Sequence, residues 1–132
     1  MNKYFKLERA KTDLTPYIII DEEKRYMKFE GESYHENVLA FFSEISEWLK
    51  GFLLTDFDSF TFDCELNYFS SSTVKVLMNM LTDMDNSKNS KKITVNWITS
   101  QNNEIIIESG EDLKEDMENI TFNLIISCNK TQ

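Results

Sequence analysis

Long apolar runs, histidine, proline and glycine are all scarce in this chain, and each scarcity closes off a class of function. No apolar stretch approaches the roughly 20 residues of a membrane-spanning helix, so no membrane insertion is expected. The amino-terminal MNKYFKLERAK is charged throughout and lacks the apolar middle of a signal peptide, which points to a cytoplasmic protein. The single histidine, His35, leaves any metal centre to carboxylates and thiols, and no spacing suggests one. A Ser-His-Asp arrangement would have to pair His35 with Ser71, and nothing in the sequence brings them together. Three isolated glycines, Gly31, Gly51 and Gly110, rule out a glycine-rich phosphate loop. Cys64 and Cys128 are far apart without a CxxC spacing. A disulfide between them stays open, but reduced core thiols are the simpler reading. Neither catalysis, cofactor nor metal is therefore expected.

Positive charge is short as well. Fourteen Lys and Arg against 23 Asp and Glu give a formal net charge of −9. That balance argues against nucleic acid and anionic membranes as partners and suits proteins with basic patches. Hydrophobic residues at 41% and aromatics at 13% supply one real core, and 132 residues is the size of a single domain, here 1–132. The most linker-like stretch, Asp83–Lys92, reads as a connection within that domain.

The chain alternates between β and α periodicities. Tyr17–Ile20 and Tyr26–Phe29 suggest a hairpin after Pro16. Ser33 and Glu36 have the spacing of a capping box. Val38, Leu39, Phe41, Phe42, Ile45, Trp48, Leu49 and Phe52 then recur at helical spacing to near Gly51–Leu53. From Ser59 to Tyr68 the alternation puts Phe60, Phe62, Cys64, Leu66 and Tyr68 on one face and polar residues on the other. A second helix is expected from about Ser71 to Met84, burying Val74, Leu77, Met78, Leu81 and Met84. Strands are expected at Lys92–Trp97 and Thr121–Ile126, whereas Asn103–Asn119 reads as either helix or strand. The predicted fold class is α/β: a mixed β-sheet with helices packed mainly on one face.

The junction Tyr68-Phe69-Ser70-Ser71-Ser72-Thr73-Val74-Lys75 is the most informative segment. Its simplest reading is that one serine caps the second helix. Beyond a cap, this first turn has no acidic residue, in contrast with the capping box expected for the first helix. An uncompensated helix start favours an anion, and a phosphate on Ser71 or Ser72 would add about −1.5 to −2 charges there. Val76 and Met80, off the expected stripe, would extend an apolar binding surface beside Ser71. Asp56, Asp58, Glu111, Asp112, Glu115 and Asp116 read mostly as solvated surface, with a docking patch for a basic partner as the lesser reading.

From about Thr15 to Leu113 the sequence resembles the SiaC-type regulatory phosphoproteins of bacteria, whose fold is like that of STAS-domain anti-anti-sigma factors. The resemblance rests on Thr15-Pro16, Gly31-x-Ser33-x-x-Glu36-Asn37 and above all Leu66-x-Tyr68-Phe69-Ser70-Ser71-Ser72-x-x-Lys75. Trp97 and Glu108-x-Gly110-Glu111-Asp112-Leu113 extend it. It implies a STAS-like domain that is no enzyme but the substrate of a dedicated protein kinase and a PP2C-type phosphatase. The phosphorylation state would select the partner, in some members a diguanylate cyclase. The family phosphoacceptor falls on Ser71, with Ser72 and Thr73 as the next candidates, and Tyr68, Phe69, Ser70, Ser72, Thr73 and Lys75 would shape the partner-binding surface. The family's acidic run before Glu108 is replaced here by Asn102, Asn103 and Ile105. The competing expectation is an anti-anti-sigma factor that sequesters an anti-sigma kinase.

Overall fold

The computed structural model describes residues 4–128. Strands β1 (Lys6–Arg9), β2 (Tyr17–Asp21) and β3 (Tyr26–Ser33) form an antiparallel meander. Three crossovers come after it: helix α1 (Val38–Phe52) leads to β4 (Phe60–Phe69), α2 (Ser71–Asp85) to β5 (Ile93–Ser100), and α3 (Glu104–Asp116) to β6 (Thr121–Ser127). The sheet runs in chain order from β1 to β6, and β3 through β6 are parallel neighbours. Successive crossovers of one hand place all three helices on one face. Burial agrees: alternate residues of β2 to β5 are fully buried, while those between them are only half-buried on the open face. The expected α/β class, with a mixed sheet and helices on one face, is what is found.

The core is the layer between sheet and helices. Ile18, Ile20, Met27, Phe29, Phe60, Phe62, Ile93, Val95 and Trp97 from the sheet meet Phe42, Ile45, Leu49, Leu77, Leu81 and Met84 from the helices. Removing this apolar surface from water is the main stabilising term. The open face carries a polar ladder instead. The Tyr26 hydroxyl donates to Asp63 Oδ2 (2.7 Å), the Asn96 amide to Asp63 Oδ1 (2.8 Å), and the Asn123 amide to Asn96 Oδ1 (3.0 Å).

Several expectations need correction. Ser33 and Glu36 form no capping box: Ser33 is buried at the end of β3, and α1 starts later, capped by Asn37 Oδ1, which accepts from Ala40 N–H (3.3 Å). Within α1, Leu39 is exposed; it shares the helical period of the core residues but falls at the margin of the stripe, beyond cover from the sheet. In α2 the buried stripe is rotated from the expected one. Val76, Leu77, Met80, Leu81 and Met84 are buried whereas Val74 and Met78 are half-buried, so Val76 and Met80 contribute no exposed binding surface. Asn103–Asn119 is settled as mostly helix, because β5 and β6 are parallel neighbours and need a crossover between them. Both cysteines are free, but Cys128 is exposed at the end of β6 and only Cys64 is a core thiol. Burial pushes the Cys64 thiol far up, which keeps it protonated.

Asp83–Lys92 is less of a loop than expected. Asp85 ends α2 with a buried carboxylate that accepts the backbone N–H groups of Glu118, Asn119 (2.7 Å) and Ile120 (3.0 Å). It thereby ties the end of α2 to the approach to β6. Gly110 packs α3 on Trp97: a Cβ there would lie 2.4 Å from Trp97 Cδ1, and the Trp97 indole N–H donates to Ile106 O (2.9 Å).

Candidate functional site: the start of the second helix

The hydroxyl-rich junction is built by an irregularity in β4. Pairing with β3 runs in step through Gly31↔Leu66 and resumes at Glu32↔Tyr68, leaving Asn67 as a surplus residue. Gly31, at φ +119, takes up the change with a backbone conformation open to little but glycine. The slip reverses the side-chain parity of the last residues of β4. Tyr68 does not continue the core face as its spacing predicts; it is 54% exposed and meets Tyr34 edge-on at 5.2 Å between ring centroids. Phe69 turns inward instead and packs edge-on against Trp97 at 5.8 Å. Asn103, at the start of α3, clamps the bulge by donating its side-chain amide to Asn67 O (2.9 Å).

The chain then enters α2 at once. Ser70 is the N-cap: its backbone is extended, its Oγ accepts from Thr73 N–H (3.3 Å), and its own N–H donates to Ser33 O (3.0 Å). Thr73 is 0% exposed. Its hydroxyl donates to Ser33 O (3.0 Å) and lies 2.9 Å from Ser33 Oγ and 3.2 Å from Ser70 Oγ. Ser33, Ser70 and Thr73 thus bolt the start of α2 to the end of β3. Thr73 therefore differs from the exposed hydroxyl expected of a candidate acceptor or partner-facing residue: it is buried and spent on anchoring the helix start. The Ser33-to-Thr73 separation of 40 residues hid this from local spacing.

Ser71, Ser72 and Lys75 are all exposed at the surface. A shallow cleft between the starts of α1 and α2 is lined by Glu36, Asn37, Leu39, Ser72, Lys75 and Asn79. The first turn of α2 carries no acidic side chain, so the partial positive charge of its N–H groups is not offset there. The expected contrast with α1 does not hold, because the first turn of α1 is equally free of acids; only α3 has one, Glu104. What distinguishes α2 is the pair of surface hydroxyls one turn from a lysine that takes part in none of the ion pairs among the described residues. On the neighbouring side, Tyr34 donates to Glu32 Oε1 (3.4 Å). Partial desolvation and that carboxylate raise its phenol above the ordinary range.

Asp56, Asp58, Glu111, Asp112, Glu115 and Asp116 are exposed, as expected of solvated surface. Among the described residues no cluster of His, Cys, Asp and Glu is arranged to hold a metal ion, and no helix is long and apolar enough to cross a membrane. His35 is occupied locally: its Nδ1 accepts from Asn37 N–H (2.8 Å) just before α1.

Comparison with known proteins converges on one group. The fold is similar to that of SiaC of Pseudomonas aeruginosa, with a TM-score of 0.81 at 23% identity over 95% of this chain and 99% of that one. It is also similar to a chain in the crystal structure of the diguanylate cyclase SiaD in complex with its activator SiaC, from the same organism. There the TM-score is 0.84 at 24% identity, over 92% of this chain and 99% of that one. An uncharacterized protein of P. aeruginosa strain UCBPP-PA14 is 26% identical over 106 residues, 80% of this chain and 84% of that protein. The family model described as SiaC family regulatory phosphoprotein matches residues 9–127, nearly the whole described fold. The chain belongs to the SiaC family.

Proposed function

We propose that this chain is a phosphorylation-controlled binding protein in which Ser71 accepts the phosphate and the resulting charge decides which protein docks at the start of α2. The carrying observation is the pairing of an exposed Ser71 hydroxyl with Lys75 one helical turn on, in a first turn without acids. Phosphate at Ser71 would be favoured by the helix N-terminus and within reach of Lys75, since positions four apart share a helix face. The anchoring of Ser70 and Thr73 supports the same reading, because the acceptor stands on a fixed backbone and not on a loose loop. Ser72 sits one residue further on, toward the α1 cleft, and is the alternative acceptor.

The chemistry of transfer then belongs to partners. A protein kinase moves a phosphoryl group from a nucleotide to the Ser71 hydroxyl, and a PP2C-type phosphatase hydrolyses the ester. The controlled target is a diguanylate cyclase, by analogy with the SiaD that SiaC activates. Exposed Tyr68 with Tyr34, together with Leu39 beside the α1–α2 cleft, supplies apolar contact area for docking next to the charge that changes.

Site-resolved mass spectrometry of the protein from its native cell is the direct test, with phosphate expected on Ser71. Affinity for the cyclase should differ at least tenfold between Ser71→Ala and Ser71→Asp, a difference of about 1.4 kcal/mol. Equal binding by the two variants and a bare Ser71 under all growth conditions would reject the switch.

A further inference from the structure

The two edges of the sheet are unlike. β1 is four residues long, and three of them, Lys6, Glu8 and Arg9, are charged. Charge and brevity are how natural sheets keep an edge from pairing with another chain. β6 has neither protection. It runs seven residues, Thr121–Ser127, with no charged residue, proline or glycine, and it pairs with β5 along its whole length. Its far side therefore presents a row of backbone N–H and C=O groups without a strand partner among the described residues. Ile125 and Ile126 are 42% and 45% exposed on opposite faces of this edge.

We infer that β6 is a dimerisation edge, pairing antiparallel with β6 of a second copy about a twofold axis through Ile125. The backbone dictates the class of ligand, since only an extended strand satisfies such an edge. The side chains dictate which strand. An uncharged apolar edge matches an uncharged apolar strand, and the exposed edge of that kind in this chain is β6 itself. Two copies carrying −9 each would repel across most of their surfaces, so an uncharged strand is where they can approach. Centring the twofold on Ile125 sets it against its own copy on the open face and sets Leu124 against Ile126 of the other copy on the helical face. Every exposed apolar side chain of the edge is then covered, and one register does this for both faces.

The register makes the test specific. The full chain is run by sedimentation velocity over a concentration series, alongside Ile125→Lys and Ile125→Glu, with circular dichroism confirming that each variant is folded. Wild type is expected to dimerise, and each single variant to weaken the dimer about a hundredfold by placing like charges face to face. An equimolar mixture of the two variants is expected to restore a dimer, because lysine then faces glutamate. A wild-type monomer at every concentration overturns the proposal. So does a dimer indifferent to either folded variant, or a mixture that stays monomeric.

Discussion

The Thr73 hydroxyl donates to the carbonyl of Ser33 at 3.0 Å, and the same carbonyl accepts the Ser70 N–H at 3.0 Å. One oxygen at the end of β3 thus holds two successive points of the α2 start, which fixes the backbone that carries Ser71 and Ser72.

Replacing Thr73 with Val keeps the shape but removes the buried donor and strands part of the Ser33–Ser70 network. A loss of about 1–2 kcal/mol is expected in urea unfolding, with faster amide exchange at the first turn of α2. Ser71→Ala, being a change to an exposed side chain, should stay within about 0.5 kcal/mol of wild type in the same assay. Equal costs for the two substitutions would contradict the division between anchoring and presented hydroxyls.

Gly110→Ala should be among the costlier single changes, because its new methyl would meet the Trp97 ring at 2.4 Å from Cδ1. The ring is buried and packed against Phe69 and Phe122, so α3 must move instead, and with it the Ile106 carbonyl that binds the indole N–H. A loss of about 1–3 kcal/mol is expected, read as a lower Tm with a shift in tryptophan emission. An unchanged emission spectrum and Tm would mean that α3 sits further from the sheet.

Gly31→Ala meets no clash, since the nearest atom would be Pro16 Cα at 3.8 Å, yet its φ of +119 strains any side chain. The expected cost is about 1–3 kcal/mol by chemical denaturation. Proline and branched residues at this position should be worse still.

Asp85 gives the fold an acid-sensitive joint. Burial alone would raise its pKa, but the N–H groups of Glu118, Ile120 and Asn119, with Lys91 nearby, outweigh that and hold the carboxyl below the ordinary range. A depressed folded-state pKa means the stabilisation is fully present above the unfolded carboxylate pKa of about 3.9 and is lost as pH falls through the lower folded value. Asp85→Asn should therefore lower stability at neutral pH and flatten the acid limb of a stability–pH curve. Parallel acid limbs for variant and wild type would reject this role.

The layers of this fold were legible because their signals are local. The period-two run Phe60–Leu66 and the helical run Val38–Phe52 each carry their burial pattern within a few neighbours. Asp85, Gly110 and the Ser33–Thr73 pair were not legible as structural devices, since each acts on a residue or backbone group brought close only by the fold. The capping-box spacing at Ser33 misled for the same reason: the hydroxyl that looked free to cap a helix was already committed to Thr73. At the candidate site, the surface position of Ser71 and Ser72 matched the expected helix start, whereas Tyr68 could be placed only once the register slip at Asn67 was visible.

That slip makes the strand a vernier with one tick too many. Core packing upstream of Asn67 and ring display downstream of it obey opposite counts, so a regular ladder that kept this residue, opposite Glu32, would swap the destinations of Tyr68 and Phe69. The phenol would be driven toward the indole, and a bare benzyl group would be left in water beside Tyr34.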